Sequence, residues 1–142
     1  MTDLSWVETK RLVFKRANGC CEYCQTCEHN IGQPMHTEHI IPNKDNSLDN
    51  LCLACASCNL SKGTATEGID PKTSEIQQLF NPRSQIWEDH FLWSEDGTHV
   101  VGKTGTGRAT VSRLKMNQKR LVRARKNWVL TGNHPPRFEA NL

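Results

Sequence analysis

His36-Thr37-Glu38-His39-Ile40-Ile41-Pro42-Asn43-Lys44-Asp45-Asn46-Ser47-Leu48-Asp49-Asn50-Leu51-Cys52-Leu53-Ala54-Cys55-Ala56-Ser57-Cys58-Asn59-Leu60-Ser61-Lys62 is the stretch on which the reading of this chain turns. Met35 to Ile41 reads as a short strand that Pro42 ends, the polar run to Asn50 as a loop, and Leu51 to Leu53 as a returning strand. A short helix should open at Cys55 and stop at Gly63. Cys52, Cys55 and Cys58 form two overlapping Cys-x-x-Cys pairs, and upstream Cys21, Cys24 and Cys27 do the same. A closed tetrahedral zinc site takes one pair from each end, and spacing alone leaves both registers open.

Outward from this core, seven cysteines in 142 residues form an odd set, and all but Cys20 fall at knuckle spacing. That favours metal ligation in a reducing cytoplasm over a disulfide framework. With 36% hydrophobic and 6% aromatic residues the apolar core is modest, so a metal staple is useful. No run approaches a membrane span. Charge is divided sharply: residues 1–102 carry 8 Lys and Arg against 14 Asp and Glu, net −6, whereas residues 103–142 carry 10 against 1, net +9. A segment that basic suits a nucleic-acid backbone, or else is a solvated helix face.

Before the core, Ser5 and Glu8 have capping-box spacing for a helix from about Trp6 to Asn18, with Gly19 as its stop. After it, residues 64–85 read as a connector with a short helix near Ser74 to Phe80. Trp87, Phe91 and Trp93 lead to a turn at 94–97 and a returning strand at His99 to Val101. Thr104 to Arg108 is glycine-rich without the Lys-Ser/Thr ending of a phosphate loop, so it reads as a loop into a helix from about Ala109. A last helix, from about Gln118 to Leu130, has Asn117 as its cap and carries an apolar stripe, Leu121, Ala124 and Trp128, beside a basic face, Lys119, Arg123 and Lys126.

Glu38-His39, Asn50-Leu51, Cys55-x-x-Cys58-Asn59 and Lys62, with Cys21-x-x-Cys24 upstream, together resemble the HNH nuclease core over about a third of the chain. The resemblance implies an α+β protein with a ββα-metal fold, stapled by structural zinc. It selects Cys55 and Cys58, because that pair directly precedes the last motif residue, Asn59; Cys21 and Cys24 are taken for the first pair, with Cys24 and Cys27 still open. Cys20, Cys27 and Cys52 are then ordinary small residues, Cys52 a buried one.

The same resemblance implies His39 as general base, an imidazole being suited to proton transfer near neutral pH. Glu38 and Asn59 would hold a single Mg²⁺ or Mn²⁺ through hard oxygen donors. Asn50 would brace the loop and orient His39. Lys62, Arg108, Lys119, Arg123 and Lys126 are the candidate nucleic-acid contacts. Glutamate stands where many relatives have aspartate, and the loop Asn43 to Asp49 lacks their glycine pair. Successive strand residues face opposite ways, so Glu38 and His39 can share one site only where the strand bends or the site lies at its edge.

The expected protein is an endonuclease acting on DNA, double-stranded, leaving a 5′-phosphate and a 3′-hydroxyl. Three parts are expected: the N-terminal helix and nuclease core at 1–66, a connector at 67–85 and a basic subdomain at 86–142. A non-catalytic zinc-stapled nucleic-acid binder is the main alternative, and a protein-interaction module using the last helix a further one. Trp87, Trp93 and Trp128 could stack on exposed bases, though their residue type suits core packing better.

Overall fold

The computed structural model describes residues 4–137. Helix α1 spans Trp6–Arg16, and Ser5 accepts the Glu8 N–H as its cap. Burying Val13 and Ala17 seats it against Leu51 and Leu53, whereas Trp6, Val7 and Phe14 remain exposed. Its last turn is tied down by Arg16, whose guanidinium donates to the Leu48 and Leu51 carbonyls at 2.9 and 2.6 Å.

A tight loop, residues 20–27, leads through the single-turn helix α2 (Glu28–Ile31) to strand β1 (His36–His39). β1 pairs antiparallel with β2 (Leu51–Ala54), His36 opposite Ala54 and His39 opposite Leu51. Helix α3 (Ala56–Lys62) follows, capped by Cys55 and ended at Gly63, whose φ of 54° suits glycine. This is the ββα order expected. Every residue of β2 is buried, which places the hairpin's centre inside the protein.

One cysteine assignment is overturned. Cys20 and Cys27, read as ordinary small residues in a reducing setting, are joined as a disulfide. They lie opposite each other in an isolated antiparallel bridge, so the ends of the loop carrying Cys21 and Cys24 are clipped together. Cys27 is thereby removed from the competing zinc register.

The connector also differs from expectation. In place of a helix near Ser74 it forms a hairpin, β3 (Glu67–Ile69) with β4 (Ile76–Gln78). Asp70 organises its turn, accepting from Lys72 N and Thr73 Oγ1, and Ser74 takes a positive φ of 66°. A short helix α4 (Trp87–His90) runs into the expected hairpin of β5 (Phe91–Trp93) and β6 (Val100–Gly102).

Helix α5 (Gly105–Arg113) begins inside the glycine-rich segment, four residues before the expected start, with Thr104 as its cap. A Cβ at Gly107 would run into the His90 carbonyl, and one at Gly102 into the Arg108 backbone. These glycines let α5 pack directly on β6. Helix α6 (Lys119–Leu130) has Gln118 at its N-cap; Asn117, expected there, instead exchanges bonds with the Val100 backbone. One buried cluster joins Cys21, Tyr23, Cys55 and Cys58 to Phe80, Phe91, Val100, Leu114 and Met116, so the knuckle and the C-terminal elements share a core. No helix among the described residues is long and apolar enough to cross a membrane.

Candidate active site

Two knuckle turns face each other across the core. Cys21 Sγ accepts the Cys24 N–H at 3.5 Å and Cys55 Sγ accepts the Cys58 N–H at 3.4 Å. All four sulfurs lie buried within 4.8 Å of one another. Cys24 and Cys55 Sγ are 3.6 Å apart, near the roughly 3.8 Å edge of a sulfur tetrahedron around zinc with Zn–S about 2.3 Å. Four thiolates close a zinc shell, so the donor set fits a structural ion with no position for substrate.

Burial pushes the Cys21 thiol up, the hydrogen bond with Cys21 raises Cys58, and the same partner holds Cys24 well below the ordinary thiol range. Metal binding must therefore displace protons from this cluster. Cys52, as expected, is a buried bystander that donates to the Tyr23 hydroxyl, and burial raises its thiol to about 12.

At the opposite end of the β1–β2 hairpin lies an open cleft of about 450 Å³, lined by Glu38, His39, the loop from Pro42 to Asn46, and Gly63 with Thr64. Glu38 and His39 thus share one cleft despite being adjacent on a strand, because they sit where β1 ends. Glu38 is half-buried and makes no side-chain bond with a donor among the described residues; burial raises its pKa against the pull of Lys62, His39 and His36.

The fully buried Asn50 amide closes the loop. Its Nδ2 donates to the Ile41 and Asp45 carbonyls at 3.0 Å each, and its Oδ1 accepts the Ile41 N–H at 2.9 Å. Asn59 is half-buried one turn into α3 and is not among the cleft-lining residues. Asn46, which nothing in the sequence singled out, places its Oδ1 2.6 Å from His39 Nε2. A polar residue inside a polar loop has no period or spacing to reveal it.

The expected nucleic-acid contacts divide. Lys62 is not at the surface: it is 2% exposed, and its ammonium donates to the Ile40 carbonyl at 3.0 Å and to that of His39 at 3.4 Å. Arg108 is committed as well, gripping the buried Asp70 carboxylate at 2.9 and 2.8 Å. By contrast Lys119, Arg123 and Lys126 are exposed on α6, together with Arg120, which the expected set omitted.

The neighbouring Arg125 is fully buried, donating to Thr98 O, Asn117 Oδ1 and Met116 O and lying 5.3 Å over the Trp93 ring. It contributes to the basic count without offering a surface charge. The stripe of Leu121, Ala124 and Trp128 is half-buried and lines a groove against Thr26 and Ile31. Trp87 and Trp93 serve the core: their indole N–H groups donate to Tyr23 O and Gln25 Oε1.

A hairpin and helix stapled by four cysteines, with a carboxylate and a histidine at its open end, define a ββα-metal unit. Residues 21–65 match the family described as HNH endonuclease. The span contains both knuckle turns, Glu38, His39, Asn50 and Asn59. No curated protein and no solved structure matches the chain.

Proposed function

We propose that the chain is a metal-dependent endonuclease hydrolysing phosphodiester bonds of double-stranded DNA in the cytoplasm. The observation that supports this most is the shared cleft, in which Glu38 and His39 open side by side onto solvent under a loop braced by Asn50. His39 takes the proton from the water that attacks phosphorus, and the 3′ oxygen leaves and takes a proton from solvent, giving a 5′-phosphate and a 3′-hydroxyl.

Glu38 suits a hard divalent cation, being a half-buried carboxylate without a donor among the described residues, and Asn59 would supply the second oxygen from α3. When bound, Mg²⁺ or Mn²⁺ there supplies countercharge for the scissile phosphate and the leaving oxygen. Asn50 holds the backbone around Ile41 and so fixes the direction of the strand end that bears His39. The exposed face of α6, Lys119, Arg120, Arg123 and Lys126, provides salt-dependent phosphate affinity independent of sequence. Residues 1–66 are the catalytic part in this reading, 67–85 join them to the remainder, and 86–142 supply the basic surface; 1–3 and 138–142 lie outside the described residues.

A second reading, a zinc-stapled binder that does not cut, draws on one observation: Asn59 stands outside the cleft lining. Supercoiled plasmid distinguishes them. Zinc-loaded wild type should nick or linearise it in Mg²⁺ or Mn²⁺ and stop when EDTA is added, and Glu38→Ala and Asn59→Ala should each require more cation. Retardation of plasmid at low salt without cutting in either cation supports the binder instead.

A further inference from the structure

The geometry points to Asn46 as the residue that sets the tautomer and direction of the His39 imidazole, leaving Nδ1 as the atom that receives the proton; this rests on His39 being the base. The Asn46 carboxamide oxygen lies 2.6 Å from Nε2, a separation at which one of the two atoms must carry the shared proton. An amide oxygen only accepts, so the proton sits on Nε2 and the lone pair on Nδ1. Nδ1 has no protein partner among the described residues, and it is not one of the buried nitrogens lacking a partner, so it is accessible to solvent.

The position of Asn46 is fixed from both sides. The preceding Asp45 has its carbonyl held by Asn50 Nδ2 at 3.0 Å and its carboxylate by Ser47 N and Oγ at 3.1 and 2.7 Å. Asn50 therefore acts on His39 through Asn46 as well as through the strand. Asn46 is a positioning residue, since it touches the base and not the reacting atoms.

The test combines ¹⁵N NMR of the His39 ring in zinc-loaded, Mg²⁺-free protein with plasmid-cleavage kinetics. Wild type should show a protonated Nε2 and an unprotonated Nδ1, and Asn46→Ala a mixture of tautomers. In Asn46→Ala kcat should fall on the order of 10- to 100-fold, by analogy with the outer partners of metal-ligating histidines, with KM little changed. Asn46→Asp keeps an accepting oxygen and should restore both the Nε2-protonated ring and most of kcat, even if its charge raises KM. Zinc content and melting temperature of each variant separate positioning from misfolding.

A wild-type ring protonated on Nδ1 would overturn the proposal, because Asn46 would then be donating. Unchanged or increased kcat in Asn46→Ala would overturn it too, the contact being idle or obstructive. Absence of cleavage by the zinc-loaded wild type overturns the nuclease reading instead, while the NMR result still decides the tautomer.

Discussion

The two ends of one hairpin have opposite characters. At the end where His36 pairs with Ala54, β2 runs into four buried sulfurs within 4.8 Å of one another, closed to solvent and without a free coordination position. Where His39 pairs with Leu51, the strands open onto a polar cleft of about 450 Å³ bounded by a loop. In the proposed reading the closed end supplies rigidity and the open end the chemistry. The ladder is only four residue pairs long from end to end, so a metal held at the closed end would also position the strand end that bears His39.

Breaking the closed end should have the largest effect. Structural zinc in small domains contributes about 10 to 16 kcal/mol of apparent binding energy that is also folding energy. Stripping zinc with a strong chelator, or Cys55→Ser, should abolish the cooperative thermal transition seen by circular dichroism. Retention of a sharp transition without zinc would show that the apolar core suffices. Because the thiols must lose protons to bind, zinc release monitored with a chromophoric chelator should become easier as pH falls.

Next comes the link between the ends. Lys62→Met removes the ammonium that ties α3 to the carbonyls of His39 and Ile40, and each buried carbonyl left unpaired costs about 1 to 3 kcal/mol. Urea unfolding should show that loss while zinc content stays full. DNA binding should be hardly altered, which distinguishes this role from a phosphate contact.

A smaller effect is expected at the far side of the core. His134 is buried against Trp93 at 4.5 Å between ring centroids, both its ring nitrogens lack hydrogen-bond partners among the described residues, and burial beside Arg125 lowers its pKa from 6.5 to about 4. The folded state therefore favours the neutral ring. That contribution is complete above the unfolded value of 6.5 and is lost as pH falls from there through about 4. His134→Phe should flatten melting temperature across this window, and an unchanged slope would remove His134 as the cause.

The smallest effect on stability and a clear one on binding belong to α6. Replacing Lys119, Arg123 and Lys126 together by alanine should leave melting within error and reduce the salt dependence of DNA affinity by about 0.9 in log-log slope for each phosphate no longer neutralised. Replacing Lys62 or Arg108 should not change that slope.

What could be read from the residues was what local rules determine. The Ser5 cap and the strand-loop-strand-helix order around Glu38 and Cys58 follow from spacing and side-chain chemistry, and the brace by Asn50 from the resemblance to the HNH core. The β3–β4 hairpin did not show, since its strands are three residues long and mostly exposed. Its support is tertiary: α5 packs on it and Arg108 locks the Asp70 that builds its turn. Lys62 and Arg125 share the same blindness. Nothing in composition tells a buried, carbonyl-bound cation from a solvated one. The Cys20–Cys27 pairing was likewise hidden, because their seven-residue separation matches no metal spacing and proximity comes only from the fold.

The most direct test of the division between the two ends is His39→Ala, with zinc content, melting temperature and plasmid cleavage in Mg²⁺ measured on the same preparation as wild type. Full zinc, unchanged melting and a loss of cleavage of about 10²-fold or more would be the predicted result. Cleavage by His39→Ala at the wild-type rate would contradict it, as would a loss of zinc or of melting cooperativity that accounts for the missing activity.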